Sequence, residues 1–232
     1  MRWRLFLLLL AGLLVTSRVA AQPFISGCPI FPADNAWNTD ISGAEVDDNS
    51  GIYITNINTN GGGTLVHPDF GSDPTYGIPW MTVPGTQPKV PVTFDYDDES
   101  DPGPYPFPPN ALVEGGSDSH VIVLDRDNCI LYETFASTYI GGAQQAWTAG
   151  SGASFSLNSN AQRPDGWTSA DAAGLPILPG LARCEEANSG TINHALRFTV
   201  RRTQEAYVYP ASHEAGHSTN TNYPPMVLIL VM

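Results

Sequence analysis

HVIVLDRDNCILYETF, residues 120–135, is the stretch on which the fold turns. Two runs rich in β-branched and aromatic side chains flank Arg126-Asp127-Asn128, which reads as a β-hairpin with a three-residue connection. Side chains alternate along a strand, so Glu133 shares a face with Cys129, Leu131 and Phe135. A carboxylate on an apolar face must be paired or carry a raised pKa. A raised pKa is also what a general acid needs near neutral pH, which makes Glu133 a candidate for acid–base chemistry.

The same pattern continues outward. KVPVTFDY (89–96), SGASFSLN (151–158), TINHALRFTV (191–200) and EAYVYP (205–210) read as further strands, the last two as a second hairpin across RRTQ. The chain has 22 glycines and 20 prolines, with turn signals at short intervals. Helix candidates are short. DNSGIYITNI (48–57) reads equally as a strand, and TSADAAG (168–174) as one turn capped by Thr168 or Ser169. YDDESDPGPYPFPPN (96–110) holds five prolines and is expected to be an extended rim loop. The expected architecture is all-β: a single antiparallel β-sandwich or jelly-roll-like domain with long Pro/Gly-rich loops.

Residues 1–21 read as a secretory signal: MRWR, then LFLLLLAGLLV, then the small-residue site Val19-Ala20-Ala21. The apolar run is too short for a membrane span. The mature domain is expected to be 22–232, exported and monomeric. Cys28, Cys129 and Cys184 allow one disulfide and one thiol, with the pairing left open. The formal net charge is −13, and Arg2, Arg4 and Arg18 all fall in the signal, so the mature chain is more acidic still. Such a surface repels nucleic acid and anionic membranes and disfavours strongly anionic polysaccharides.

PASHEAGHSTN (210–220) contains a literal H-E-x-x-H at His213–His217. That motif holds zinc only on a helix, where positions i and i+4 share a face. Here it follows a strand candidate and contains Gly216, and no His, Asp or Glu follows His217. The peptidase reading is rejected, and Glu214 and His217 are expected to face solvent.

Other polar residues stand out by register. His194 lies with Ile192, Leu196, Phe198 and Val200 in the candidate strand. It is either a core histidine bonded to a neighbour or a group at the mouth of a concave sheet. Asp118 and His120 project to one side if the strand extends back. They could orient a general base or hold a metal, or Asp118 could simply cap its own turn. Trp147 and Trp167 sit in Gly/Ser/Thr/Asp-rich surroundings, where indoles serve either as platforms for sugar rings or as lids over the core.

The block DGWTSADAAGLPILPGLARCEEANSGTINHALRFTVRRTQEAYVYPASH (165–213) resembles an uncharacterised family of secreted bacterial proteins. That family is marked by G-W-T-S-A-D-A-A-G-L-P-I-x-P-G-L, then H-A-L-R-F-T and Y-V-x-P-A-x-H. DNAWNTDIS (34–42), HPDFG (67–71), KVPVTFDYDDESDPGPYPFPPNA (89–111) and DSHVIVLDRDNCILYETF (118–135) extend the resemblance over nearly the whole mature chain. It implies that Asp118, His120, Glu133, Asp171, His194, Arg197 and His213 occupy shared polar positions, and it brings no assigned activity. Relatives continue after Pro-Pro-Met with glycine and a basic, strand-like segment. Here Tyr223–Met226 runs into Val227–Met232 and stops, as expected of a truncated or frame-altered member.

The leading functional expectation is an exported glycoside hydrolase acting on a neutral polysaccharide. Glu133 would be the acid, with Asp171 or Asp118 as base or nucleophile. His120 and His194 would orient them, Arg197, Trp147, Trp167 and His213 would contact substrate, and no cofactor is required. The alternatives are a non-catalytic glycan-binding or cell-surface module and a polysaccharide lyase. The lyase would use His194 or a tyrosine as base, with Arg197 neutralising a uronate. A further alternative is a metal site made of His120, Glu133 and His194.

Overall fold

A computed structural model describes residues 22–60 and 77–227. The expected signal segment 1–21, HPDFG (67–71) and the terminal 228–232 lie outside the described residues. The described chain is mainly β, with three sheets, none closed. A short antiparallel ribbon pairs β1 (Phe24–Ile25) with β2 (Cys28–Pro29). Strands β3 (Met81–Val83), β5 (Val121–Asp125), β6 (Ile130–Phe135) and β9 (Ser151–Ser156) form a four-stranded sheet in the order β3-β5-β6-β9. Strands β4 (Val92–Phe94), β7 (Thr138–Gly141) and β8 (Ala146–Ala149) form a three-stranded sheet in the order β4-β8-β7. No described helix is long and apolar enough to cross a membrane.

The expected β5–β6 hairpin forms, with Val123 opposite Tyr132 and Leu124 opposite Leu131, but its connection takes in Cys129 as well as Arg126, Asp127 and Asn128, one residue more than expected. Its turn is held by Asp125, whose Oδ1 accepts the Asp127 and Asn128 N–H groups at 3.1 Å. Cys129 closes the turn with φ +53° and is bonded to Cys28, which settles the pairing and leaves Cys184 as the exposed free thiol.

Both faces of this hairpin are buried. Val121, Val123 and Tyr132 pack with Val92, Trp147 and Ala149 of the three-stranded sheet. Ile122, Leu124 and Leu131 pack with Ile25, Ile30, Ala170, Ile177 and Leu178. The four-stranded sheet is thus a middle layer. A second sheet covers one side, and irregular N- and C-terminal segments cover the other.

Several expectations need correction. The pairing is not wholly antiparallel: β3 runs parallel to β5, and β4 parallel to β8. Long stretches of chain separate each of these pairs, enough for a parallel crossover. The proline-rich segment is not a rim loop, since Tyr105 and Phe107 are 1 % and 0 % exposed and fill the space between the sheets. Residues 191–200 and 205–210 do not form a hairpin. Their backbone partners come from elsewhere: Ala195 N–H donates to Trp37 O and Arg197 N–H to Gly180 O, each at 2.8 Å, while Tyr207 bridges Met226.

The ambiguous 48–57 stretch is helical, as α1 (Ser50–Asn60). TSADAAG forms turns because Asp171 N–H donates to Ser169 Oγ and Ala173 N–H donates to Asp171 Oδ1, local bonds that compete with a helix. A second helix, α2 (Cys184–Ser189), has no counterpart in the sequence reading. Glu186 accepts the Arg183 N–H at its start, and Gly190 ends it with φ +75°.

The Cys28–Cys129 bond spans 101 residues and pins the N-terminal segment to the hairpin turn. Replacing both cysteines by alanine is expected to cost about 2–4 kcal/mol of unfolding free energy. Chemical denaturation of the double variant against the oxidised parent measures this, and an unchanged midpoint would contradict it.

Candidate functional site

The residues nominated from the sequence fall mostly around one irregular segment, 163–178, which lies against the outer face of β6. A segment with no ladder must satisfy its backbone polar groups some other way. Here side chains from distant elements do so. Glu133 is 0 % exposed, and its two carboxylate oxygens accept the N–H groups of Ile177 (2.7 Å) and Leu178 (2.8 Å). His120 meets Ala170 O through Nε2 at 3.1 Å, and His213 meets Ala172 O through Nδ1 at 2.7 Å. Ser151 Oγ donates to Ser169 O at 2.6 Å and Ser212 Oγ to Trp167 O at 2.9 Å.

Charge pairs reinforce the segment. Arg197 Nε donates to Asp171 Oδ2, and the other Asp171 oxygen is taken by Ala173 N–H. Arg163 is buried and spends its guanidinium on Thr168 O, Asp101 Oδ2 and Glu99 O while standing 5.5 Å from the Trp167 ring. Glu133, Asp171 and Arg197 therefore lie together. Burial pushes the Glu133 carboxyl from 4.5 up to about 7. The Leu178 and Ile177 N–H groups and Arg197 pull it down, and Asp171 pushes it up.

The remaining candidates are placed differently. The Asp118–His120 pair does not form. Ser119 has φ +45°, so the strand does not extend back; Asp118 faces solvent, and His120 Nδ1 instead meets Glu114 Oε2 at 2.5 Å. His194 does not join this group either. Its ring is buried against Glu186 Oε1 at 3.0 Å and Ala195 O at 2.8 Å, beside Arg183.

His120, Glu133 and His194 thus have separate partners, and among the described residues no group of three or more His, Cys, Asp or Glu converges. Trp147 is not in a polar loop. It sits in β8, 2 % exposed, its ring 5.7 Å from Phe107. Trp167 is part-exposed, in a turn beside Arg163. His213–His217 is not helical; His217 is exposed and Glu214 half-buried. At the buried Gly216 an added Cβ would fall 1.9 Å from Gln204 O.

Glu114, Glu186, Arg163 and Arg183 are the polar partners that strand register does not reveal. Glu114, Arg163 and Arg183 act from coil and Glu186 from the short helix α2, where period-two reasoning has no purchase. Glu186, three residues after Arg183 and just inside a helix start, is the one with a local signal.

A shallow groove, open to solvent, borders this region. Phe31, Trp37, Tyr209 and Pro210 form apolar walls, and Asn35, Asn160 and Gln162 bring primary amides to it. Asn35 Nδ2 donates to Asn160 Oδ1 at 2.9 Å, and Gln162 Nε2 donates to Pro210 O at 3.3 Å.

No protein family, no curated protein and no solved structure matches the chain.

Glu133→Gln puts an NH2 against one of two backbone donors, at an expected cost of about 1–3 kcal/mol. The raised carboxyl also adds a pH signature. Its contribution to stability is complete below about 4.5 and is lost as pH rises through about 7. Urea unfolding of parent and variant on either side of that window tests this. The stability gap should narrow as pH rises, and a constant gap would contradict it. Trp147→Ala should cost about 3–5 kcal/mol in the same assay.

Proposed function

We propose that this protein is an exported, non-catalytic module that binds a neutral polysaccharide. One observation carries the reading: the carboxylate and imidazole groups nearest segment 163–178 are consumed in satisfying its backbone, whereas the adjoining groove is bordered by the exposed Tyr209 ring and by amides with N–H donors to spare. A general acid needs a path to the glycosidic oxygen. Glu133, at 0 % exposure with both oxygens engaged, has none in this state.

On this reading the two larger sheets are the leaves of a sandwich, widened by parallel pairs. The Cys28–Cys129 bond is compatible with an oxidising, extracellular setting. Membership of the uncharacterised secreted family is part of the same proposal.

A glycoside hydrolase using Glu133 as acid and Asp171 as base is the second reading. It is favoured by the raised Glu133 carboxyl with Asp171 and Arg197 beside it. Incubating purified protein with insoluble neutral polysaccharides separates the two. The module reading expects the protein to sediment with at least one polymer and to release no reducing ends. Reducing ends that are lost in a folded Glu133→Gln variant would overturn it in favour of the hydrolase.

A further inference from the structure

We infer that the groove beside segment 163–178 is the binding site, and that it takes a neutral pyranose chain laid against Tyr209 with its hydroxyl edge toward Asn35, Asn160 and Gln162. This rests on the module reading above. Tyr209 is 74 % exposed, an unusual position for a large aromatic ring with no core duty. Trp37, which lines the same groove, is braced rather than loose: it packs on the core, and a Cβ at Gly180 would fall 2.8 Å from its ring. An apolar wall facing amides matches a sugar ring, which has C–H faces and a hydroxyl edge.

Charge selects against other ligands. The one charged side chain lining the groove is Arg163, whose guanidinium nitrogens are already bonded to Thr168 O, Asp101 Oδ2 and Glu99 O. Among the described residues no carboxylate lines the groove, and the nearby Asp34 is bonded to Asn160. The chain's net charge of −13 opposes an anionic one.

The amides are also set in place before a ligand arrives. Asn35 Oδ1 accepts the Trp37 N–H at 3.0 Å, Asn35 donates to Asn160, and Asn160 Nδ2 donates to Asp34 Oδ1 at 2.9 Å. Each amide NH2 has two protons, and the bonds that Asn35 and Asn160 donate use one apiece, so donors remain for hydroxyls. Groups already held in position lose little freedom on binding.

The test is titration calorimetry with soluble, uncharged glucan, mannan and xylan, with polygalacturonate and an oligoproline peptide as controls. The expected result is binding to at least one neutral polymer with a Kd insensitive to salt. Tyr209→Ala and Gln162→Ala should each weaken it about tenfold. Tyr96→Ala, another exposed aromatic that does not line the groove, should leave it unchanged.

Thermal unfolding of each variant checks that its fold is intact. If a neutral polymer binds and neither Tyr209→Ala nor Gln162→Ala weakens it, the groove assignment is overturned while the module reading stands. If no neutral polymer binds, both fall. Binding of oligoproline or polygalacturonate in preference to every neutral polymer overturns the assignment too.

Discussion

A buried carboxylate holding two backbone amides is the contact on which the outer layer of this protein depends. Glu133 projects from the middle of β6 into an apolar layer, where an unpaired carboxyl would be costly. Ile177 and Leu178 present two N–H groups at the start of a short helical turn, Leu178–Gly180, that would otherwise have no acceptor. Each side supplies what the other lacks. The contact fixes where the C-terminal half crosses the sheet, and it brings Ile177 and Leu178 onto Leu131 and Leu124.

From that point the irregular layer is assembled by the same means repeated. His120, Ser151, Ser212 and His213 each satisfy a carbonyl of segment 163–178, Arg163 ties its start to Asp101, and Arg197 binds its Asp171. In a sheet one ladder would do this work. Here separate side chains do it, which explains why so many polar residues are buried in a chain with few charges. The Cys28–Cys129 bond secures the N-terminal segment at the other end of the same hairpin. One consequence is functional. Groups with the right chemistry for catalysis are engaged in holding backbone, and the adjoining groove is bordered by amides and by the exposed ring of Tyr209.

Legibility followed regular structure. Glu133 was placed on the right face because β6 is a true strand and alternation holds within it. His194 was read by the same rule, but 191–200 is not a strand and its partner Glu186 lies on a helix the pattern did not reveal. Asp118 was paired with His120 on the assumption of an extended backbone, which Ser119 breaks with φ +45°. Trp147 and the proline-rich segment misled for another reason. Polar or proline-rich neighbours suggest a surface, yet Tyr105, Phe107 and Trp147 point inward from between them and form the core between the sheets.

The sequence by itself determined the hairpin at 121–135, its alternation, its buried carboxylate and the mainly β character. These follow from nearest-neighbour geometry along the backbone, which a linear pattern records. Tertiary structure alone decided that Cys28 joins Cys129, that strands pair in parallel across long connections, and that His120 faces Glu114. It also decided that Asn35, Asn160, Gln162 and Tyr209 share one groove. Apart from His120 and Glu114, six positions apart across an irregular turn, those contacts bring together segments tens to about a hundred positions apart. Their partners are set by how the layers stack, and no local period carries that information.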